Sequence, residues 1–252
     1  MNQRSKLVFL VAAGAVSVVM LVAVGSVILK SSPLQKSTAG ASTAEALSGA
    51  KRIVAQLTSL IGPSSRAPSV IGNWPPVEGE RFPDLVLPDQ NGELVRLSDF
   101  EGQLILVEYA AVPCHGCQAF AGGKDCGAFG GYQVQPGLDS IETYAKQFAN
   151  VRLGEDVVFV QVLLYGNASG PPTAQQVAGW AEHFGMDREN RQIVLQGDSS
   201  LLSQEVFDMI PGFHLIDRQF TLRSDSCGHH PKRDLYRDLL PLLGKLASAS
   251  SN

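Results

Sequence analysis

The 252-residue chain is short of charge and of aromatic side chains: 17% of its residues are charged, 7% are aromatic, and only two are Trp. Its 20 Lys and Arg against 24 Asp and Glu leave a net charge of −4. The basic residues are scattered and form no stripe, which excludes an electrostatic footprint for nucleic acid. No internal repeat is present, which excludes solenoids and propellers. Cysteine is sparse, with four in all. Only Cys114 and Cys117 stand close together, and no second Cys or His pair follows at ligand spacing, so a zinc site built on that pair lacks its other half.

Apolar sequence, by contrast, is plentiful at the N-terminus. Leu7 to Leu29 form 23 consecutive positions without a charge. At ~1.5 Å per residue, a helix of that length crosses the ~30 Å hydrocarbon core of a bilayer. Ala39-Gly40-Ala41 resembles a signal-peptidase cut site but lies ten positions past the apolar run. Residues 7–29 therefore read as an uncleaved transmembrane anchor. Arg4 and Lys6 before the span lean toward a cytoplasmic tail at 1–6 and an exported remainder, where disulfides are permitted. Residues 30–80, rich in Ser, Ala, Pro and Gly, read as a linker. Within it Ser42-Thr-Ala-Glu45 matches a capping box that opens a short amphipathic helix, stopped at Gly62-Pro63.

The pattern from 81 to 248 predicts one α/β domain. Asp84–Leu87 and Leu94–Leu97 read as two strands joined by an Asn-Gly turn. Leu104–Ala110 is a continuous apolar strand. Gly122 to Gly137 holds six glycines and reads as a surface insertion carrying Cys126. A helix through Ile141, Tyr144, Ala145 and Phe148 precedes a second buried strand, Val157–Tyr165. Thr173-Ala-Gln-Gln176 caps a helix closed by Gly185. A third strand at Gln192–Leu195, a short helix near 201–207, a strand pair at 210–217 and 220–223, and a terminal helix at 232–246 disturbed by Pro241 complete the set. Strands alternating with helices imply a largely parallel sheet covered on both faces.

Cys114-His-Gly-Cys117 follows the first buried strand, where a helix can begin. Two thiols at that spacing can cycle between dithiol and disulfide, and the unpaired N–H groups of a helix N-terminus favour the thiolate. Phe82-Pro-Asp84, Asp89-Gln-Asn-Gly92, Leu97-Ser-Asp-Phe100 and Leu106-Val-Glu-Tyr, followed by Cys-His-Gly-Cys, resemble the redoxin branch of the thioredoxin superfamily, in particular its membrane-anchored extracytoplasmic thiol–disulfide oxidoreductases. The resemblance implies a thioredoxin-like fold with a central mixed sheet flanked by helices, and no cofactor. It implies protein thiols and disulfides as partners, and a membrane redox protein that resets the pair.

Residue by residue, the resemblance makes Cys114 the attacking thiolate, Cys117 the resolving thiol, Pro211 a cis-proline beside them, and Glu108 a buried acid that shuttles the proton of Cys117. The alternative for Glu108 is a side chain facing water or ion-paired at a strand end. Two features depart from the family: Pro113 stands where a tryptophan usually precedes the first cysteine, and His115-Gly116 is an unusual central dipeptide. A protonated His115 would stabilise the thiolate. Cys126 and Cys227 are candidates for a structural disulfide. His214, Cys227, His229 and His230 are weak candidates for metal ligands. A peroxidase of the peroxiredoxin type needs Thr or Ser three positions before its cysteine, where this chain has Ala111. A thioredoxin-fold copper chaperone is the other alternative, although those proteins generally place three residues between their cysteines.

Overall fold

The computed structural model describes residues 69–167, 170–198, 201 and 207–249. The anchor expected at 7–29, the linker helix and most of the short helix near 201–207 lie outside the described residues. Among the described residues no helix is long and apolar enough to cross a membrane.

Five strands form the central sheet: β4 (Ile105–Ala111), β5 (Val158–Tyr165), β6 (Gln192–Gln196), β7 (Gly212–Ile216) and β8 (Leu222–Cys227). Their order across the sheet is β6-β5-β4-β7-β8. β4, β5 and β6 run parallel, whereas β7 is antiparallel to β4 and β8 antiparallel to β7, so the sheet is mixed. Every residue of β4 is buried, which explains why its sequence is apolar apart from Glu108: a strand covered on both faces has no solvent side to alternate with.

A smaller antiparallel sheet joins β1 (Ser69–Ile71), β2 (Asp84–Pro88) and β3 (Leu94–Arg96). The turn between β2 and β3 is closed by Asp89, whose Oδ1 accepts from the backbone N–H groups of Asn91 (2.8 Å) and Glu93 (2.9 Å), with Gly92 at φ +77°. Ser69–Ile71 falls inside the stretch read as linker. The folded region thus starts before residue 81: β1 pairs with β2, and the N–H of Gly79 donates to the carbonyl of Leu222 on β8.

Side-chain alternation gives the central sheet two distinct faces. One face carries Glu108, Gln161 and Phe213, and meets the helices. These are α1 (His115–Phe120), α2 (Gly123–Cys126), α3 (Ile141–Ala149), α4 (Ala174–Phe184) and α5 (Leu240–Ser248). Phe120 of α1 packs edge-on against Phe213 at 5.2 Å, and Trp180 of α4 donates from Nε1 to Gln161. Thr173 and Gln176 form the expected capping box of α4, and Gly185 closes it at φ +67°. Before α5, the chain makes a π turn at Leu235–Leu239, and Pro241 sits in the first turn of α5, where a missing N–H costs nothing. The opposite face carries Tyr109, His214, Asp225 and Cys227. Phe82 and Trp74 lie against it, with ring centroids 5.7 Å from His214 and 5.9 Å from Tyr109, respectively.

Candidate functional site

At the end of β4 the chain turns through Val112 and Pro113 into α1, and Cys114 is the N-cap of that helix. Cys114 and Cys117 are joined in a disulfide, with Cα atoms 5.2 Å apart. The Cys114 sulfur accepts from the N–H of Cys117 at 3.1 Å, the geometry by which a helix start favours charge on this atom. Cys114 is half-buried while Cys117 is fully buried, so of the two cysteines only the first is open to solvent.

The Ile210–Pro211 peptide is cis, as the resemblance implied, and it lies against the cysteine pair. A Cβ built on Gly116 would stand 3.4 Å from Pro211 Cγ and 4.0 Å from Cys114 Sγ. Between them opens a largely apolar groove of about 520 Å³, lined by Ala111, Pro113, Tyr165, Phe207 and Ile210 together with the cysteine loop and His229. Ala111 brings no hydroxyl to this groove. His115 is exposed, in keeping with a surface histidine.

Gln118 was missed by the reading of the sequence. Its buried amide donates to the carbonyls of Val112 (2.7 Å) and Phe129 (3.2 Å), and its Oε1 accepts from the N–H of Phe129 at 2.8 Å. It thereby ties the cysteine loop to the glycine-rich insertion. Gln135, also overlooked, donates its N–H to the carbonyl of His115 at 3.0 Å and lines the groove. For Gln118 the sequence signal was a polar residue directly after Cys117, followed by the apolar Ala119 and Phe120.

Glu108 is completely buried. It faces neither water nor a cation. Its Oε2 accepts from Gln161 Nε2 at 2.9 Å, and Oε1 has no partner. Burial pushes its carboxyl up to about 8, with the Gln161 hydrogen bond working against the rise. The carboxyl is therefore neutral at pH 7 and able to take up or release a proton close to neutrality. No described hydrogen bond joins it to Cys117.

The remaining candidates separate into two places. His214 is buried on β7, with Nδ1 3.0 Å from the Tyr109 hydroxyl and Nε2 3.2 Å from Asp225 Oδ1. Burial holds its pKa below the ordinary value and favours the neutral ring, with the Asp225 contact working against it. Burial works to raise Asp225, but its bonds to His214 and Lys232 outweigh this and hold it at about 2. Cys227 sits beside this pair, its thiol pushed well up by burial and by the Asp225 charge. His230 borders the same cavity, whereas His229 borders the groove at Cys114.

The disulfide considered between Cys126 and Cys227 is not formed; both cysteines are free. The topology keeps them apart. Cys126 bonds the Gly122 carbonyl, and its neighbour Gly127 bonds His183 of α4, the helix over the β6 side of the sheet. Cys227 ends β8, the opposite edge.

The strand order, the cysteine pair at the head of the helix after β4, and the cis-proline before β7 together define a thioredoxin-like fold whose site is a vicinal cysteine pair in its disulfide form. No family model and no curated protein matches this chain. Solved structures resemble it at low identity. They include a thiol:disulfide interchange protein from a Bacteroides species, at 16% identity over 69% of this chain and 91% of that one, with a TM-score of 0.42. The thioredoxin domain of a thiol-disulfide oxidoreductase from Bacteroides vulgatus is similar at 14% identity over 66% of this chain and 98% of that one, TM-score 0.41. The pneumococcal exposed lipoprotein thioredoxin of Streptococcus pneumoniae is similar at 21% identity over 65% and 99%, TM-score 0.39. The fold rests on the chain's own topology, to which these likenesses add nothing.

Proposed function

We propose that this chain is a membrane-anchored, extracytoplasmic thiol–disulfide oxidoreductase that exchanges the Cys114–Cys117 couple with protein partners. The observation that carries the reading is the asymmetry of the pair: one bridged sulfur half-exposed at a helix cap under a groove walled by the cis-proline, the other fully buried.

Starting from the disulfide, a partner thiolate attacks Cys114 Sγ. The Cys114–Cys117 bond breaks, a mixed disulfide forms, and Cys117 leaves as a thiolate. A second partner thiolate then attacks the partner sulfur of the mixed disulfide and releases Cys114 as a thiolate. The partner is oxidised by two electrons and the couple reduced by two. The neutral Glu108 carboxyl is the proton donor for Cys117, and in the reverse direction its carboxylate accepts that proton before Cys117 closes the bridge. The backbone before Pro211 pairs with an extended segment of the partner. The span at 7–29 holds the domain at the membrane, and a membrane redox protein resets the couple.

Two measurements test this. Equilibration of the purified chain against a thiol redox buffer should give one two-electron couple, lost in Cys114→Ser. A potential near ~−270 mV makes the protein a reductant and one near ~−120 mV an oxidant. In a strain expressing the full chain, Cys117→Ser should accumulate mixed disulfides with client proteins and Cys114→Ser should not. Mixed disulfides trapped equally by both variants would overturn the assignment.

A further inference from the structure

Behind the cis-proline, on the sheet face away from the helices, three donors of different chemistry converge: an imidazole nitrogen of His214, a carboxylate oxygen of Asp225 and the thiol sulfur of Cys227, all within 4.8 Å of one another. They line a separate cavity of about 210 Å³, with His230 and Lys232 on its wall. The strand register produces this convergence, since His214 pairs with Asp225 and Gly212 with Cys227 across the β7–β8 ladder. We propose that His214, Asp225 and Cys227 bind a single divalent transition-metal ion, zinc by the chemistry of the donors, with His230 closing the fourth position.

The donor set fits that ion. Zinc takes thiolate, imidazole and carboxylate together in a tetrahedron, at ~2.3 Å to sulfur and ~2.0 Å to nitrogen or oxygen. Ligands of one such ion stand about 3.3–3.8 Å apart by that geometry. A contraction of about 1 Å at the widest pair therefore completes the site, and His214 Nε2 already lies 3.2 Å from Asp225 Oδ1.

The outer shell is also in place. Ligating histidines use their other ring nitrogen to hold the tautomer and orientation. Here the Tyr109 hydroxyl stands 3.0 Å from His214 Nδ1, in the buried core. In the metal-free chain Nε2–H donates to Asp225 and Nδ1 accepts from the tyrosine. With the ion bound, the ring adopts the other tautomer, Nδ1–H donates to the tyrosine oxygen, and Nε2 gives its lone pair to the metal. Cys227 loses its thiol proton to solvent and coordinates as thiolate. No electron moves in the step.

The arrangement does not suit two other readings. A nucleophilic triad needs the imidazole on the thiol, yet the two ring nitrogens of His214 are taken by Tyr109 and Asp225, while the Cys227 sulfur contacts the carbonyl of Phe213 at 3.6 Å. A plain ion pair needs no cysteine. Lys232 Nζ lies 3.3 Å from Asp225 Oδ2 and already supplies positive charge at this rim, but its side chain is 68% exposed and free to swing away.

Consecutive histidines link the two cavities. The N–H of Gly228 donates to the carbonyls of Met209 (3.0 Å) and Pro211 (3.2 Å), and the turn it begins sends His229 to the groove at Cys114 and His230 to the wall of the cavity that holds the three donors. An ion held by His230 would brace the turn that backs Pro211.

Cobalt(II) is the probe, because a thiolate–cobalt bond gives a charge-transfer band in the near ultraviolet. The full chain is stripped with chelator and kept oxidised at Cys114–Cys117, so that the redox pair contributes no ligand and the result does not depend on the proposed activity. One equivalent of cobalt should bind per chain with that band, and one equivalent of zinc should displace it. Cys227→Ser should abolish the band while Cys126→Ser leaves it intact. Tyr109→Phe, which removes only the orienting hydroxyl, should weaken binding ~10–100-fold with the band retained. Failure of the oxidised chain to take up stoichiometric cobalt, or a band that survives Cys227→Ser, would overturn the proposal.

Discussion

Glu108 and Asp225 are both carboxyl groups set into the central sheet, one on each face, and burial works to raise both. Glu108 has an amide for its one partner and is pushed up to about 8. Asp225 has an imidazole and an ammonium and is held at about 2. Glu108 is fully buried with a neutral partner, whereas Asp225 is half-buried and carries two polar partners, so depth and partners together set the two charges apart. The helix face keeps a carboxyl that is neutral at pH 7 and titrates near pH 8. The opposite face keeps a standing negative charge suited to holding a cation.

The largest expected effect that would break this contrast is on the helix face. Glu108→Gln keeps the shape and the Gln161 contact but removes the titrating proton. Exchange should slow by ~10²-fold or more, and the inflection near pH 8 should vanish from the pH–rate profile. A profile unchanged in the variant would remove Glu108 from the chemistry. Stability gives a second readout with a definite sign. The folded chain binds the Glu108 proton more tightly than the unfolded one, so its contribution is full below 4.5 and is lost as pH rises through about 8. Denaturant unfolding of wild type should therefore weaken across that window relative to Glu108→Gln.

A smaller effect sharpens the same side. Trp180→Phe removes the indole N–H that Gln161 Oε1 accepts from, leaving that buried oxygen without its partner. A loss of ~1–3 kcal/mol is expected from this in urea unfolding. Because Gln161 then turns more freely, the Glu108 inflection should also shift.

The smallest effect concerns the other face. Asp225 has a depressed pKa, so its stabilisation is present above the ordinary value of 3.8 and is lost as pH falls through about 2. Asp225→Asn should lower stability at neutral pH and flatten the further loss on acidification between 3.8 and about 2. An acid transition identical to that of wild type would mean that the His214 and Lys232 contacts contribute nothing to folding.

The parts of this architecture legible in the sequence are those written locally. The apolar runs of β4 and β5, each interrupted by a single polar residue, the Thr173–Gln176 capping box, Gly185 after its helix, and Cys114 shortly after a buried strand each depend on a few adjacent residues. The polar groups that organise the two faces depend instead on register. That Glu108 meets Gln161 follows from the β4–β5 pairing, across a separation of 53 residues, and nothing within either segment announces it. Asp225 escaped notice for the same reason: on its own strand it is one acid among serines, and only the β7–β8 pairing sets it against His214. β1 was hidden for a different reason. Three residues in a Ser- and Pro-rich stretch carry no periodicity, and their strand character comes from the edge of β2.

Gly212, the first residue of β7, has no room for even one carbon. A Cβ there would lie 2.2 Å from the Met209 carbonyl oxygen and 2.6 Å from Cys227 Cα. The cis-proline is thus seated where main chain presses on main chain, with no rotamer to turn aside. Any yielding must come from side chains that line the groove, among them Tyr165 and the exposed Phe207, which meet edge to face, 5.6 Å apart. The groove is thus stiff in its backbone beside the proline, and its adaptable surface is aromatic.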